Sequence, residues 1–246
     1  DAAREAGDII ISDNNFVSIS RAILYGRTIF GSIRKFILFQ LTMNVCAVGV
    51  SLIAPFCGIE SPITITQMLW INIIMDTLGS LAFAGEAPLP EYMKRPPTAR
   101  AEKILTREMC GRIVFGGLYT LALSIYYLIS DRMHCVFGGD EIYYLTVFFA
   151  LFVFCGIANS FCARTERMRI TAGLSGNRPF IMIMLLVATV QLIMIYFGGN
   201  VFRTVPLSGQ ALLGAAALSL TVFPADFICK LSISIRRRMI SKKRRL

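Results

Sequence analysis

The chain has 246 residues, of which 55% are hydrophobic and 16% charged, with a formal net charge of +10 and a mean hydropathy of +0.64. Ordinary soluble domains carry about 25% charged residues, and here the charges are gathered into blocks between long apolar runs. This excludes a soluble enzyme, whose short amphipathic elements would each keep a polar face.

The chain opens at Asp1, and its first residues lack the basic, apolar, small-residue order of a secretory leader, so it reads as a piece of something longer. Asp8 to Ser12 is an Ile-rich run closed by Asp13-Asn14-Asn15. That pattern predicts a short buried strand, a turn and a helix cap. No proline interrupts the chain between Phe16 and Pro55. One helix of about 38 residues, near 57 Å at 1.5 Å per residue, is expected there. Its first part, 16–35, is polar enough to be a stalk outside the bilayer.

A hydrocarbon core of about 30 Å takes roughly 20 apolar residues of helix. Six segments meet that length: 36–55, 65–85, 113–130, 142–163, 180–198 and 210–229. In lipid each must satisfy its own backbone hydrogen bonds, so they are helices. No ten-residue alternation suggests a membrane barrel. The expected fold is therefore an all-α membrane protein, a six-helix transmembrane bundle over 36–235, with a short strand and a stalk helix before it and a basic tail at 236–246.

Between the second and third spans, Pro88, Pro90, Pro96 and Pro97 predict an ordered, non-helical loop over 86–109 that packs on its neighbours. Six spans place both chain ends on one side. All but two of the 25 Lys and Arg residues fall on that side, the exceptions being Arg132 and Arg203. The bias makes both termini cytoplasmic. It also accounts for the net charge without nucleic-acid binding. The seven cysteines show no metal-ligand spacing. Cys57 and Cys135 fall on the opposite side, where a disulfide and two free thiols are both open readings. His134, the single histidine, is expected in a short water-facing loop.

Asp76 is the residue that carries chemistry. It lies near the middle of the second span, where an unpaired carboxylate costs at least a few kcal/mol. Asn72 precedes it by four residues, about one helical turn on the same face, and Gln67 lies near the helix start. Carboxylate and carboxamide oxygens suit a hard cation such as Ca²⁺; an interhelical hydrogen-bonded pair is the alternative. Asn44, in the first span, supplies either a further oxygen or a helix–helix hydrogen bond. Gly79, Ser80, Ala82, Ala84 and Gly85 make one side of the second span small, which allows close backbone approach. Asn159, Ser160 and Gln191 are explained at least as well by packing. Asp226 and Lys230 are spaced for an i, i+4 ion pair. The tail, with Arg236 to Arg238 and Lys242 to Arg245, reads as a site for anionic lipid head groups, with calmodulin as the other candidate partner.

The stretch Gln67-Met-Leu-Trp-Ile-Asn-Ile-Ile-Met-Asp-Thr-Leu-Gly-Ser-Leu-Ala-Phe-Ala-Gly-Glu-Ala-Pro88 closely resembles the sixth transmembrane helix of P-type calcium ATPases, and most of all the plasma-membrane, calmodulin-regulated branch, type IIB. Phe39-Gln-Leu-Thr-Met-Asn-Val-Cys-Ala47 resembles the fifth helix of that branch. Residues 1–13 resemble the end of its phosphorylation domain, assigned here to 1–15. The six spans would be helices five to ten.

The resemblance implies ATP-driven export of Ca²⁺ from the cytosol through a single membrane site. Asn72 and Asp76 match two of its ligands and Asn44 lies beside them. Ala47 stands where two-site pumps carry an acidic ligand. The branch carries a Gln in its eighth helix where this chain has Gly156, a departure that speaks against a ligand from that position; Asn159 is the candidate contribution from that helix. The Asp-Lys-Thr-Gly phosphorylation motif and the nucleotide site do not occur in this sequence, so ATP and Mg²⁺ would bind to an amino-terminal remainder of the same pump. The plasma membrane is the expected location, with a calcium store or Golgi membrane as the alternative. A secretory-pathway Ca²⁺/Mn²⁺ pump, which shares the Asn-x-x-x-Asp spacing, and a non-transporting membrane piece are the competing readings.

Overall fold

With no proline to break it, α1 runs without interruption over Phe16–Ile53, 38 residues in all. This computed structural model describes Glu5, Ile10, Asp13 and residues 15–243, apart from 60, 89, 95, 98–101, 172 and 175, and only the backbone of 237, 238 and 240–243. The strand expected over 8–12 lies outside the described residues except for Ile10, which has no regular structure. The Asn15 side chain caps α1 by accepting from the Val17 N–H at 2.9 Å. Asp13 accepts from the Ser18 hydroxyl at 2.6 Å and the Asn15 N–H at 3.2 Å. These donors hold its carboxyl below the usual carboxylate range. Pro55 ends the helix in a 3₁₀ turn, Ala54–Cys57, and Gly58 (φ 82°) reverses the chain.

The second span is built in three parts: α2 (Ile65–Ile73), a π-helical turn (Ile74–Leu78) and α3 (Gly79–Ala84). Thr64 and Gln67 form a reciprocal capping box at its start. The chain continues through α4 (Arg107–Ile129), the short α5 (Asp131–Phe137) and α6 (Glu141–Arg164). It ends with α7 (Arg178–Phe197), α8 (Gly199–Phe202), α9 (Gly209–Ser219) and α10 (Val222–Lys243). Among the described residues six stretches are long and apolar enough to cross a membrane, and there is no strand. The protein is an all-α integral membrane protein.

Two details differ from expectation, and a third closes an open reading. The last span is not one helix: α9 and α10 are separated by a turn at Leu220 and Thr221. Pro224 is the cause, because it has no N–H for the Leu220 carbonyl and its ring crowds that group. His134 lies in α5 and not in a loop, exposed, with its ring stacked on Tyr144 at 3.7 Å between centroids. Cys57 and Cys135 are both free, exposed thiols.

The bundle is organised around α6. In that span 83% of the apolar window is buried inside the protein, against 28–39% in the other spans. Phe148, Phe149 and Phe152 form its centre, together with Tyr127 of α4. The widest helix pairing is α1 with α4, and glycines permit it. A Cβ placed on Gly117 would meet Val45 Cγ1 at 2.7 Å and the Thr42 carbonyl at 3.2 Å, and one on Gly116 would meet Thr42 Cγ2 at 3.1 Å.

Ion pairs secure the basic end of the bundle. Lys230 Nζ and Asp226 Oδ2 lie 2.5 Å apart, the expected i, i+4 pair, and Arg112 adds a second cation 3.5 Å from Asp226. Both basic groups also donate to the Cys162 carbonyl at 3.1 Å, so α4, α6 and α10 share one network. The Pro-rich loop after α3 packs as expected. Lys35 pairs with Glu86 at 2.5 Å, Arg34 with Glu102 at 2.8 Å and Arg167 with Glu91 at 2.5 Å, while Arg27 donates to the Tyr92 carbonyl at 2.7 Å.

Three substitutions test this packing and the Asp226 network by thermal unfolding in detergent. Gly117→Ala pushes a methyl into stiff, β-branched Val45 and is expected to destabilise by about 1–3 kcal/mol. Gly111→Ala, in the same helix but with nothing within 4 Å of its Cβ, is expected to be neutral or to stabilise by up to about 1 kcal/mol. Asp226→Ala leaves Lys230 and Arg112 without a counter-charge at a site where all three side chains are at most 13% exposed. A loss of about 3 kcal/mol is expected; an unchanged midpoint would remove the network from the stability account.

Candidate cation site

The polar residues of the first two spans line up because the two spans run antiparallel in close contact. Reading away from the basic end, Lys35 pairs with Glu86, Phe39 meets Gly79, and Gln40 reaches Asp76. The Gln40 Nε2–H donates to Asp76 Oδ1. Asn44 stands one turn further along α1 from Gln40, and Asn72 about one turn from Asp76 along the other helix. Since the helices are antiparallel, both steps lead in the same direction. Asn44 and Asn72 therefore extend a polar strip that begins with Gln40 and Asp76.

Asp76 lies inside the π turn, where the Gly79 N–H reaches back five residues to the Ile74 carbonyl. A π turn takes in an extra residue and shifts the side chains before it relative to those after it. Such bulges occur frequently at functional sites. Its inner side is fixed by α6: a Cβ on Gly156 would fall on Met75 Cε, so α6 meets the bulge where it has no side chain. On the basic-end side the site has an aromatic floor. Phe83 contacts Phe39 at 5.8 Å, Phe180 at 5.7 Å and Phe36 at 6.4 Å between ring centroids. Gly79 admits this floor, since a Cβ there would sit 3.2 Å from Phe39 Cε1.

Asp76 and Asn44 are exposed on the outer face of the six spans, and Asn72 is half-buried. Besides the Gln40 donor, Asp76 has no hydrogen-bond partner among the described residues, and the amides of Asn44 and Asn72 have none. The strip thus presents one carboxylate and two uncommitted carboxamides, oxygen donors of the type that a hard divalent cation takes.

The other sequence candidates are engaged elsewhere. Asn159 is buried, and its amide donates to Thr120 Oγ1 at 3.1 Å and contacts Met43 Sδ at 3.5 Å. Gln67 completes the helix cap and donates to the Phe202 carbonyl at 2.7 Å. Ser160 bonds the Ile157 carbonyl at 2.6 Å. Gln191 is the exception: it is fully buried, and neither of its amide atoms has a partner among the described residues. Sequence reasoning did not single out Gln40. The signal was its i, i+4 spacing from Asn44 within an apolar span.

Residues 60–232 match the family described as "Cation transporting ATPase, C-terminus". The chain belongs to the cation-transporting ATPases. Among curated members of the family, it is 36% identical over 231 residues to calcium-transporting ATPase 12, plasma membrane-type, of Arabidopsis thaliana, an overlap of 94% of this chain and 22% of that protein. Plasma membrane calcium-transporting ATPase mca-1 of Caenorhabditis elegans is 37% identical over 221 residues, 85% of this chain and 18% of the relative. A rice protein, probable calcium-transporting ATPase 6, plasma membrane-type, is 37% identical over 213 residues. The chain spans about a fifth of the length of these relatives. The six membrane spans and the strip around Asp76 therefore lie in the carboxyl-terminal membrane part of a cation-transporting ATPase.

Proposed function

We propose that this chain is the ion-carrying membrane part of an ATP-driven calcium pump, and that Asp76, Asn72 and Asn44 contribute ligands to its Ca²⁺ site. The observation that carries this reading is the Asp76 carboxylate, set at mid-depth on a π turn with carboxamides one turn away on both helices. A charge at that depth is costly unless it serves a partner or an ion. The calcium-transporting names of the relatives supply the cation. Three oxygens fall short of the 6–8 that Ca²⁺ takes. The exposed outer face of Asp76 and Asn44 is where the remaining ligands would arrive, from the amino-terminal part of the pump. Asn159, engaged by Thr120, holds helices together and does not bind the ion.

On this reading ATP and Mg²⁺ act in cytoplasmic domains outside this sequence, and α1 transmits their movement. At 38 residues it is nearly twice as long as a membrane span. Its upper part carries Gln40 and Asn44, so a tilt of its lower part shifts them against Asp76 and Asn72. Such a two-state shift alternates the site between sides of the membrane. The excess of Lys and Arg at the end bearing both termini orients that end to the cytoplasm. The plasma membrane is the proposed location, and anionic lipid the proposed partner of the basic tail.

In the full-length gene product, Asp76→Asn is expected to abolish Ca²⁺-dependent formation of the phosphoenzyme from ATP. Wild-type calcium activation in that variant would refute the site. Asn159→Leu serves as the contrast. It should lower the unfolding temperature while leaving the half-activating Ca²⁺ concentration within about twofold, since a lost packing hydrogen bond affects stability by only about 1 kcal/mol.

A further inference from the structure

Gln40 makes one hydrogen bond and leaves one atom without a partner. Its Nε2–H donates to Asp76 Oδ1, whereas its Oε1 is buried and has no hydrogen-bond partner among the described residues. A buried carbonyl oxygen without a donor is unfavourable by roughly 1–3 kcal/mol. The arrangement therefore persists only because the other end of the amide serves a charge. Nitrogen and oxygen of a carboxamide exchange places by a half-turn about its last torsion, which is broad and roughly two-fold. No backbone movement is needed.

We propose that the Gln40 carboxamide is a ligand of the cation at Asp76, with its N–H₂ facing the carboxylate in the empty site and its Oε1 turning to the ion when the site is filled. This rests on the calcium-site reading above and adds a ligand to it. The contact permits the exchange. The Gln40 amide already touches the Asp76 carboxylate, and a Ca²⁺ gathers neighbouring oxygens around itself at about 2.3–2.6 Å. The turned amide places Oε1 beside Asp76 Oδ1, a repulsive contact that only a cation between them makes favourable. In the empty site the amide hydrogens supply the positive end that the ion later provides. The same side chain is thus a placeholder without the ion and a ligand with it.

Support for Gln40 comes from a rigid base. The widest helix contact in the protein holds α1 against α4 at Gly116 and Gly117, and Phe39, the preceding residue, is buried in the aromatic floor. Gln40 can therefore turn its amide without moving its helix.

The test compares Gln40→Met and Gln40→Glu in the full-length gene product, reading the Ca²⁺ concentration for half-maximal phosphoenzyme and the level reached at saturation. Met has similar length but no ligand oxygen, so half-activation should move up by roughly tenfold or more with the saturated level kept. Glu has oxygens but no N–H, so it should stay within about threefold of wild type. Unchanged activation in Gln40→Met, or equal impairment in both variants, would overturn the ligand role; the second result would mean that only the N–H donor matters. If Gln40→Met forms no phosphoenzyme at any Ca²⁺ concentration, Gln40→Glu decides alone. Calcium activation near wild type then supports the proposal, and loss of calcium activation in a monodisperse protein overturns it. An Asp76→Asn arm separates the two levels: if calcium still activates that variant, the site reading itself has failed. If it does not, and Gln40→Met behaves as wild type, only the inference about Gln40 is lost.

Discussion

A carboxylate at mid-membrane depth is the constraint around which the first two spans are arranged. Hydrocarbon offers Asp76 no solvation, and the protein gives it the Gln40 amide. Bringing that amide within reach requires α1 and the second span to approach closely. Gly79 makes room for Phe39 at the crossing, and Lys35 with Glu86 closes the pair at the basic end.

The rest of the bundle is a support for that pair. α6 is buried on nearly all sides and carries the densest aromatic packing. It touches the π turn through Gly156 and Met75, so the inner side of the bulge rests on the most buried helix. The Asp226 network joins α4, α6 and α10 below it. By contrast, the outer face of the polar strip is exposed. A frame that is fixed on one side and open on the other suits a site completed by further helices, and the proposed pump mechanism uses this asymmetry.

Much of this was legible in the sequence. Segment lengths and polarity gave the six spans, the absence of proline gave the length of α1, and i, i+4 spacing gave the Asp226–Lys230 pair. Asp76 and Asn72 stood out because charge and amide are rare in apolar spans. The parts that were not legible depend on tertiary contact. Nothing in the residue types of Ile74–Leu78 announces a π turn, which is visible only in the backbone hydrogen bonding. Gln40 was overlooked because its significance lies in a partner 36 positions away. The break before α10 was in principle readable from Pro224, but the surrounding apolar run obscured it. Asn159 resembles Asn44 by residue type, and the structure separates them: Asn159 is buried and bonded to Thr120, whereas Asn44 is exposed beside Asp76.

The most direct test of the central claim is a structure of the full-length pump loaded with Ca²⁺, at a resolution that shows side-chain oxygens. The account predicts ion density about 2.3–2.6 Å from an Asp76 carboxylate oxygen, with the π turn retained. Ion density elsewhere in the membrane, with Asp76 still bonded to the Gln40 amide, would contradict it.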